Sequence, residues 1–394
     1  MKIVQTAAIL TLSASLWAQA PSRTTLFETP TFVATRAGRY LIVELKKPHL
    51  VLSTSGRAGG QATGIRYLVN HQSSEANGEM DEKTAKMSRS EYHDYVARLL
   101  NLNPMEMAMM GTAANMNNLG HRHVEVNGVS VDAFVTAGVE GNAARPDDPA
   151  DWLETENGYV NVSANKGTIN TILIFNKALT NGAQARAAIT MVEAKTAALT
   201  ELAIPSLYST HLATGSGTDQ FIIASPSDPA AKPLEWPASS SKLGQMIGQA
   251  VTGATLDALR WQNSLEPSAT RDLIHALKRF GLSDEKLRTG LKELLPQASF
   301  ASFSKSPWAI THDPGISAGA YAYAAVLDRL QYGTLPQELG AESLRNQAAV
   351  IAATLAGQPG KLSDFWAKIR PSANDRLSPL LQGLALGWQA RWAE

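Results

Sequence analysis

Apolar and polar positions change period along this chain, and the changes divide it. From Thr31 to Thr54, short β-rich runs alternate with punctuation: Phe32 to Thr35, Tyr40 to Leu45 and His49 to Ser53, parted by Gly38 and Lys47-Pro48. Strands this close in sequence are expected to pair as antiparallel hairpins. Ile65 to Val69 predicts a further strand leading to Asn70-His-Gln72, Ser74 to Lys86 reads as polar loop, and a helix is predicted from Ser90 through Leu100. Pro104 is placed to open a second helix whose many methionines suit core filling. Strand character returns from His123 to Val139 around an Asn127-Gly128 turn.

The stretch from Gly167 to Asp219 organises the rest. Thr168 to Phe175 is β-rich, and Ala183 to Leu202 sets Ile189, Val192, Thr196 and Leu199 on one helical stripe predicted to face a core. Glu193 and Lys195 fall on the flanks of that stripe, where a charged group can reach a cleft. The polar glycine turn Ala213-Thr-Gly-Ser-Gly-Thr-Asp219 follows, and then the apolar run Phe221 to Ala224. Pro146 to Asn165 and Ser225 to Ser240 are polar connections. Ser241 stands as N-cap of a helix opening at Lys242, on which Gly244 and Gly248 would admit another backbone. Beyond about Glu266 helical periods dominate: Ser268 to Phe280, Ser283 to Leu295, Ser317 to Tyr332, Ala341 to Ala356 and Leu362 onward, with Gly281, Gly333 and Gly357 at C-cap positions. The expected fold class is therefore α+β. A layered sandwich of mixed or antiparallel β-sheet and helices over residues 21–265 is followed by a mainly α-helical domain over residues 266–394.

Composition narrows the functions. The 394 residues, 44% hydrophobic, suffice for two domains with cores of their own. Lysine plus arginine and aspartate plus glutamate number 35 each, so no excess charge calls for a nucleic acid or an anionic membrane surface as partner. The absence of cysteine removes disulfides, thiolate catalysis and cysteine-ligated metals together. MKIVQTAAILTLSASLWAQA, residues 1–20, has an early Lys2, a short apolar stretch and small residues at Ala18 and Ala20, the pattern of a secretory leader. The expected location is thus extracytoplasmic, periplasmic or extracellular, with no stable membrane insertion; the sequence does not set the oligomeric state.

Gly215-Ser-Gly217 is not a nucleotide loop, because phosphate-binding glycine turns open a helix and here a strand follows. It is either a tight strand entry or a place where backbone N–H groups face a ligand, with Thr214, Thr218 and Asp219 beside it. His121 and His123 share a strand face, as metal ligands do, but no third ligand stands at a recognised spacing, so surface histidines at a hairpin are the expectation and no metal is assigned.

A resemblance extends this reading. The runs Pro48-His-Leu-Val-Leu-Ser-Thr-Ser55, Thr136-Ala-Gly138 with Asn142-Ala and Arg145, Gly167-Thr-Ile-Asn170, Glu193-Ala-Lys-Thr196, Ala213-Thr-Gly-Ser-Gly-Thr-Asp219 and Lys242-Leu-Gly244 resemble, in order and spacing, the adenosylcobinamide amidohydrolase family over about residues 30–260. The resemblance implies hydrolysis of the amide joining the corrin's propionate to aminopropanol, with the cobalt corrinoid as substrate and no further cofactor. The leader and the helical extension after Glu266 lie outside the family's pattern. Amide hydrolysis needs a nucleophile, an oxyanion pocket and an acid for the leaving amine. Thr168, Glu193, Lys195 and Asp219 are the catalytic candidates, with Thr136 and Thr214 as further hydroxyls. Substrate contact is assigned to Ser53, Ser55, Gly59, Gly60, Asn70, Thr136, Gly138, Asn142, Arg145, Asn170, Thr196, Thr214, Gly215, Ser216, Gly217, Thr218 and Lys242. Gly167-Thr168 also looks similar to the strand start of self-cleaving aminopeptidases, where the hydroxyl residue becomes a new N-terminus. Two other classes stay open: an exported corrinoid-binding protein without catalysis, and an exported amidase or peptidase of altered specificity.

Overall fold

The computed structural model describes residues 22–74, 84, 86–150, 153–156, 158–160, 167–372 and 374–392. The expected leader lies outside them. The chain lays down β1 (Thr24–Glu28), β2 (Phe32–Ala37), β3 (Tyr40–Leu45), β4 (His49–Ser53), β5 (Gly60–Ala62) and β6 (Tyr67–Gln72), then α1 (Arg89–Leu100) and β7 (Met107–Thr112). The hairpin β8 (Gly120–Val126) and β9 (Val129–Ala137) precedes the short strands β10 (Ala143–Ala144), β11 (Leu153–Thr155) and β12 (Gly158–Val160). The central unit is β13 (Ile169–Phe175), α2 (Asn181–Glu201), β14 (Gly215–Ser216) and β15 (Gln220–Pro226), followed by α3 (Lys242–Asn263).

Two main sheets form, in the orders β1-β2-β3-β6-β7 and β5-β4-β15-β13-β9-β8, beside the two-stranded pairs β10-β14 and β11-β12. Within them only β6 with β7 and β13 with β15 are parallel, each pair joined through a helix, as a parallel connection requires. The sheets stack face to face. Phe32, Leu41, Val43, Leu68 and Met110 of the first pack against Val51, Phe134, Ile172, Ile174 and Ile222 of the second. The outer face of the first sheet buries Ile42, Val69 and Met107 under Val96, Ala97 and Leu100 of α1. The outer face of the second buries Val131, Val135, Ile169, Leu173 and Ile223 under α2 and α3. The result is a four-layer α/β/β/α sandwich. β13 reads Ile-Asn-Thr-Ile-Leu-Ile-Phe because both its faces are covered, and each fully buried Ile or Leu there contributes about 1.5–3 kcal/mol.

Three expectations are corrected. β3 and β4 do not pair: at Lys46 to Pro48 the chain crosses from one sheet to the other, where β3 pairs β6 and β4 pairs β15 and β5. The methionine run after Pro104 is not a helix. Pro104–Glu106 makes one 3-10 turn, and Met107–Thr112 is an interior strand whose alternate methionines fill the cores on its two faces. On α2 the buried face is Ala183, Ala187, Met191, Ala194 and Ala198, while Ile189 and Val192 are 59% and 45% exposed. Alanines let the helix lie close to the sheet, and the larger residues turn outward. Of the two glycines expected to admit another backbone on α3, Gly244 meets the Ala238 carbonyl closely and Gly248 faces nothing within 4 Å.

The C-terminal region holds α4 (Pro267–Thr270), α5 (Leu273–Leu277), α6 (Asp284–Leu294), α7 (Gln297–Lys305), α8 (Trp308–Thr311), α9 (Pro314–Gln331), α10 (Gln337–Ala356), α11 (Leu362–Lys368) and α12 (Ser378–Arg391). Helices α5 to α12 share one apolar cluster, from Leu273 to Trp388, that includes no residue of the sandwich. Gly281 and Gly357 cap helices in the left-handed region, where a residue without Cβ is favoured. Among the described residues no helix is long and apolar enough to cross a membrane.

Candidate active site

Because β13 and β15 are parallel neighbours, their N-terminal ends lie side by side, and the glycine turn entering β15 sits against the strand start at Gly167-Thr168. Asp219 ties the two together. Its Oδ1 accepts from the Ile169 N–H at 3.0 Å and from the Ser216 hydroxyl at 2.5 Å; its Oδ2 accepts from the Lys195 ammonium at 2.5 Å. The Ser216 N–H bonds both oxygens. With both oxygens engaged, Asp219 holds Lys195 in place. Gly215 makes room for this pair: a Cβ there would stand 2.6 Å from Lys195 Nζ and 2.4 Å from Asp219 Oδ2.

Asn142, buried at the back of the same turn, makes the second tie. Its Nδ2 donates to the Gly167 carbonyl at 2.9 Å and reaches Thr218 Oγ1 at 3.3 Å, while its Oδ1 accepts from the Tyr208 hydroxyl at 2.8 Å. Gly167 has φ +142, and a Cβ there would press on the Gly138 carbonyl at 2.9 Å. Below this, between the sheets, lies a closed polar layer. Asn70 donates to Thr136 Oγ1 at 2.8 Å, and Asn170 donates to Asn70 Oδ1 at 3.0 Å and to the Gly111 carbonyl at 2.9 Å. Asn70, Thr136 and Asn170 are buried, and their side-chain bonds satisfy the groups that burial would otherwise make costly.

A cleft of about 820 Å³ opens over these strand ends. It is lined by Thr54, Gly56, Arg89, Tyr92, Met109, Gly111, Ala144, Arg145, Pro146, Val192, Lys195, Thr196 and Thr214 through Gln220. Arg89, Arg145 and Lys195 set three positive charges against the single carboxylate of Asp219. Arg145 is partly spent on Asp147, and Thr196 donates to the Thr214 carbonyl at 3.0 Å, fixing α2 to the turn. The backbone N–H groups of Thr214, Ser216, Gly217 and Thr218 all donate within the protein, to Ala144, Asp219, Asn142 and Ser216. The turn is therefore a braced strand entry, and Lys195 has two N–H bonds beyond the one to Asp219.

Other candidates stand apart from the cleft wall. Thr168 is buried, its hydroxyl donating to the Thr218 carbonyl at 2.8 Å and meeting Asn170 Oδ1 at 3.2 Å. Glu193 is exposed and accepts from Ser239 at 3.1 Å; Lys242 is exposed and bonds Gln245 at 2.6 Å. Ser53 and Ser55 are buried. Ser55 Oγ accepts from the Met109 N–H at 3.1 Å and lies 3.4 Å from His93 Nδ1, while Gly59 packs against the Ser55 carbonyl and Gly60 turns with φ +79. Gly138 bonds its N–H to the Thr168 carbonyl. Of the polar stretch from Glu154 to Lys166 that precedes Gly167-Thr168, residues 157 and 161–166 lie outside the described residues.

Sequence reasoning missed the α1 wall. Ser88 caps α1 with a full capping box, and Arg89 and Tyr92 of its first turn face the cleft. His93 beside them is fully buried, and burial lowers its pKa. The signal available in the sequence was Ser88 followed three residues later by Glu91. His121 and His123 both bond Asp132 Oδ1, at 3.1 and 2.9 Å, and among the described residues no group of three or more His, Cys, Asp or Glu is arranged to hold a metal ion.

Three comparisons bear on the chain as a whole. A solved structure, that of the PH0078 protein from Pyrococcus horikoshii OT3, is similar at 12% identity and a TM-score of 0.30, covering 60% of this chain and 82% of that one. An uncharacterized protein of Methanocaldococcus jannaschii is 34% identical over 238 residues, which are 57% of this chain and 88% of the relative. The sequence profile of the adenosylcobinamide amidohydrolases matches residues 24–267, from the first strand of the sandwich to just past α3. With the whole sandwich and all the described cleft inside that match, the chain belongs to the adenosylcobinamide amidohydrolase family.

Proposed function

We propose that this protein hydrolyses the amide between the corrin's propionate and aminopropanol in adenosylcobinamide-like corrinoids, releasing adenosylcobyric acid for corrinoid salvage. The observation that carries this reading is the family match over residues 24–267, which contains every cleft-lining residue from Thr54 to Gln220. The geometry supports it with a cleft that offers an ammonium, two guanidinium groups and several hydroxyls to an amide-rich substrate rim. Water is the nucleophile, Lys195 steadies the oxyanion of the tetrahedral intermediate, and Asp219 and Gly215 keep Lys195 in position. Arg145, Thr214 and Thr218 contact the substrate, and Asn70, Thr136, Asn142 and Asn170 hold the strand ends beneath it.

The test is to incubate the protein with adenosylcobinamide and look by mass for both adenosylcobyric acid and aminopropanol. A shift in corrin absorbance with neither product would leave only binding, and cleavage of simple amides with corrinoids untouched would point to a different amidase. The proposal places the reaction outside the cytoplasm, on the leader-like residues 1–20. Residues 1–25 fused to a reporter active only after export should give signal.

A further inference from the structure

The amide chemistry uses the charged and hydroxyl groups of the cleft and leaves its apolar rim without a role. α2 buries four alanines and Met191 and turns two large β-branched residues outward, Val192 and Ile189. Val192 lines the cleft and stays exposed, whereas Met109, the other large aliphatic side chain of the lining, is buried. Positions 189, 192 and 196 are three and four apart, the spacing that sets side chains on one helix face. Polar groups beside this row are engaged elsewhere: Thr190 donates to the Pro237 carbonyl at 2.8 Å, Glu193 accepts from Ser239, and the Arg186 guanidinium lies 4.0 Å over the Trp236 ring. A lone exposed aliphatic residue is ordinary, but these two continue the wall of a ligand cleft.

We propose that Val192 and Ile189 form the shelf on which the methyl-bearing edge of the corrin macrocycle rests, and that they select corrinoids over simpler amides. This rests on the amide hydrolysis proposed above. With the scissile carbonyl at Lys195, the rest of the substrate leaves along its propionate arm. Three C–C bonds of about 1.5 Å join ring to carbonyl, a reach of about 4 Å when extended. A rise of about 1.5 Å per residue puts Val192 about 4.5 Å and Ile189 about 9 Å along α2 from Lys195. The macrocycle is wider than its arm is long, so it emerges over Val192 and extends to Ile189. In the other direction α2 is joined to the glycine turn through Thr196, whose hydroxyl donates to the Thr214 carbonyl.

The ring does not change as the amide breaks, so this contact holds substrate and transition state alike. It therefore acts on Kd and KM and leaves kcat alone. A simple amide has no ring to cover the two side chains and gains nothing from them. Two aliphatic residues thus discriminate between substrates without touching the reacting atoms.

The test uses the full-length protein and adenosylcobinamide. Val192→Ser and Ile189→Ser should each raise Kd, followed by corrin absorbance, about five- to tenfold, and KM in step, with kcat within about twofold of wild type. Val192→Ile and Ile189→Val keep the shelf apolar and should bind within about twofold of wild type. Leu339→Ser, at an exposed leucine of α10 outside the cleft, should do the same. Serine variants that bind as tightly as wild type would overturn the shelf, and so would equal losses in the serine and the aliphatic variants. A fall in kcat with Kd unmoved would overturn it as well. The proposed reaction fails separately: wild-type protein whose binding depends on both residues but which releases no amine would sink hydrolysis and keep the shelf. Wild-type protein that binds no adenosylcobinamide would remove both.

Discussion

At the scale of single residues, the site is decided by how close atoms are allowed to come. Gly215 illustrates this, since the Lys195–Asp219 pair occupies the space its Cβ would need. Gly215→Ala should displace the ammonium, lowering kcat about 10²-fold, the loss typical of removing one oxyanion donor, while corrinoid binding followed by absorbance changes little. Thr168 gives the opposite expectation. Its hydroxyl bonds the Thr218 carbonyl and meets Asn170, so Thr168→Ala should cost about 1–2 kcal/mol of stability in urea unfolding and leave turnover within about tenfold of wild type. A complete loss of turnover in a folded Thr168→Ala protein would restore that hydroxyl as nucleophile. Intact mass of the purified chain separately tests self-cleavage.

At the scale of elements, periodicity revealed most of what it physically encodes. The strands around Asn127-Gly128, the run Ile169–Phe175 and the Ser241 cap of α3 follow from local pattern. What pattern cannot encode is which partner a strand meets. Lys47-Pro48 was legible as a break, but the crossing to the other sheet depends on β6 and β15, residues far along the chain. Met107–Thr112 misled because unbranched methionine serves helix and buried strand alike. The stripe on α2 misled because its core face is alanine, which carries little hydrophobic signal. In the site, the glycine turn and Lys195 were legible through resemblance, and Tyr92 was not, because it belongs to α1, outside every motif that carried the resemblance. The join of α1 to the sheets also sets a pH response. Burial lowers the pKa of His93, whose Nε2 bonds the Pro104 carbonyl at 3.0 Å. The unfolded chain binds this proton more readily, so the contribution is fully present above the unfolded value of about 6.5 and is lost as pH falls through the lower folded value. Buried His49 has the same sign. The unfolding free energy from urea titrations should therefore drop between pH 7.5 and pH 5.5, by no more than about 1.4 kcal/mol per pH unit for each group, and less in His93→Gln.

At the scale of the whole molecule, the question is what the C-terminal helices do for a cleft they do not line. Their apolar cluster is separate, yet they grip the loop between α2 and β14. Arg279, with its side chain 6% exposed, pairs with Asp328 and donates to the Thr210 carbonyl at 2.7 Å. Gln331 accepts from Thr210, the Tyr332 ring stacks on His211, and His275 bonds the Leu202 carbonyl. The same loop carries Tyr208, which bonds Asn142, and Asn142 holds Gly167 beside the glycine turn. The helices thus brace the site through one loop. Residues 22–265 alone should fold and still bind corrinoid, since every lining residue precedes Phe221, but with turnover lowered by up to about 10²-fold as the turn loosens. Arg279→Ala separates bracing from stability. The single variant leaves the half-buried Asp328 without this partner and should cost about 1–3 kcal/mol, whereas Arg279→Ala with Asp328→Ala should recover most of that. Neither restores the bond to Thr210, so both should keep reduced kcat on adenosylcobinamide. Wild-type kcat in the double variant, measured well below its unfolding temperature, would show that the grip on this loop has no part in the reaction.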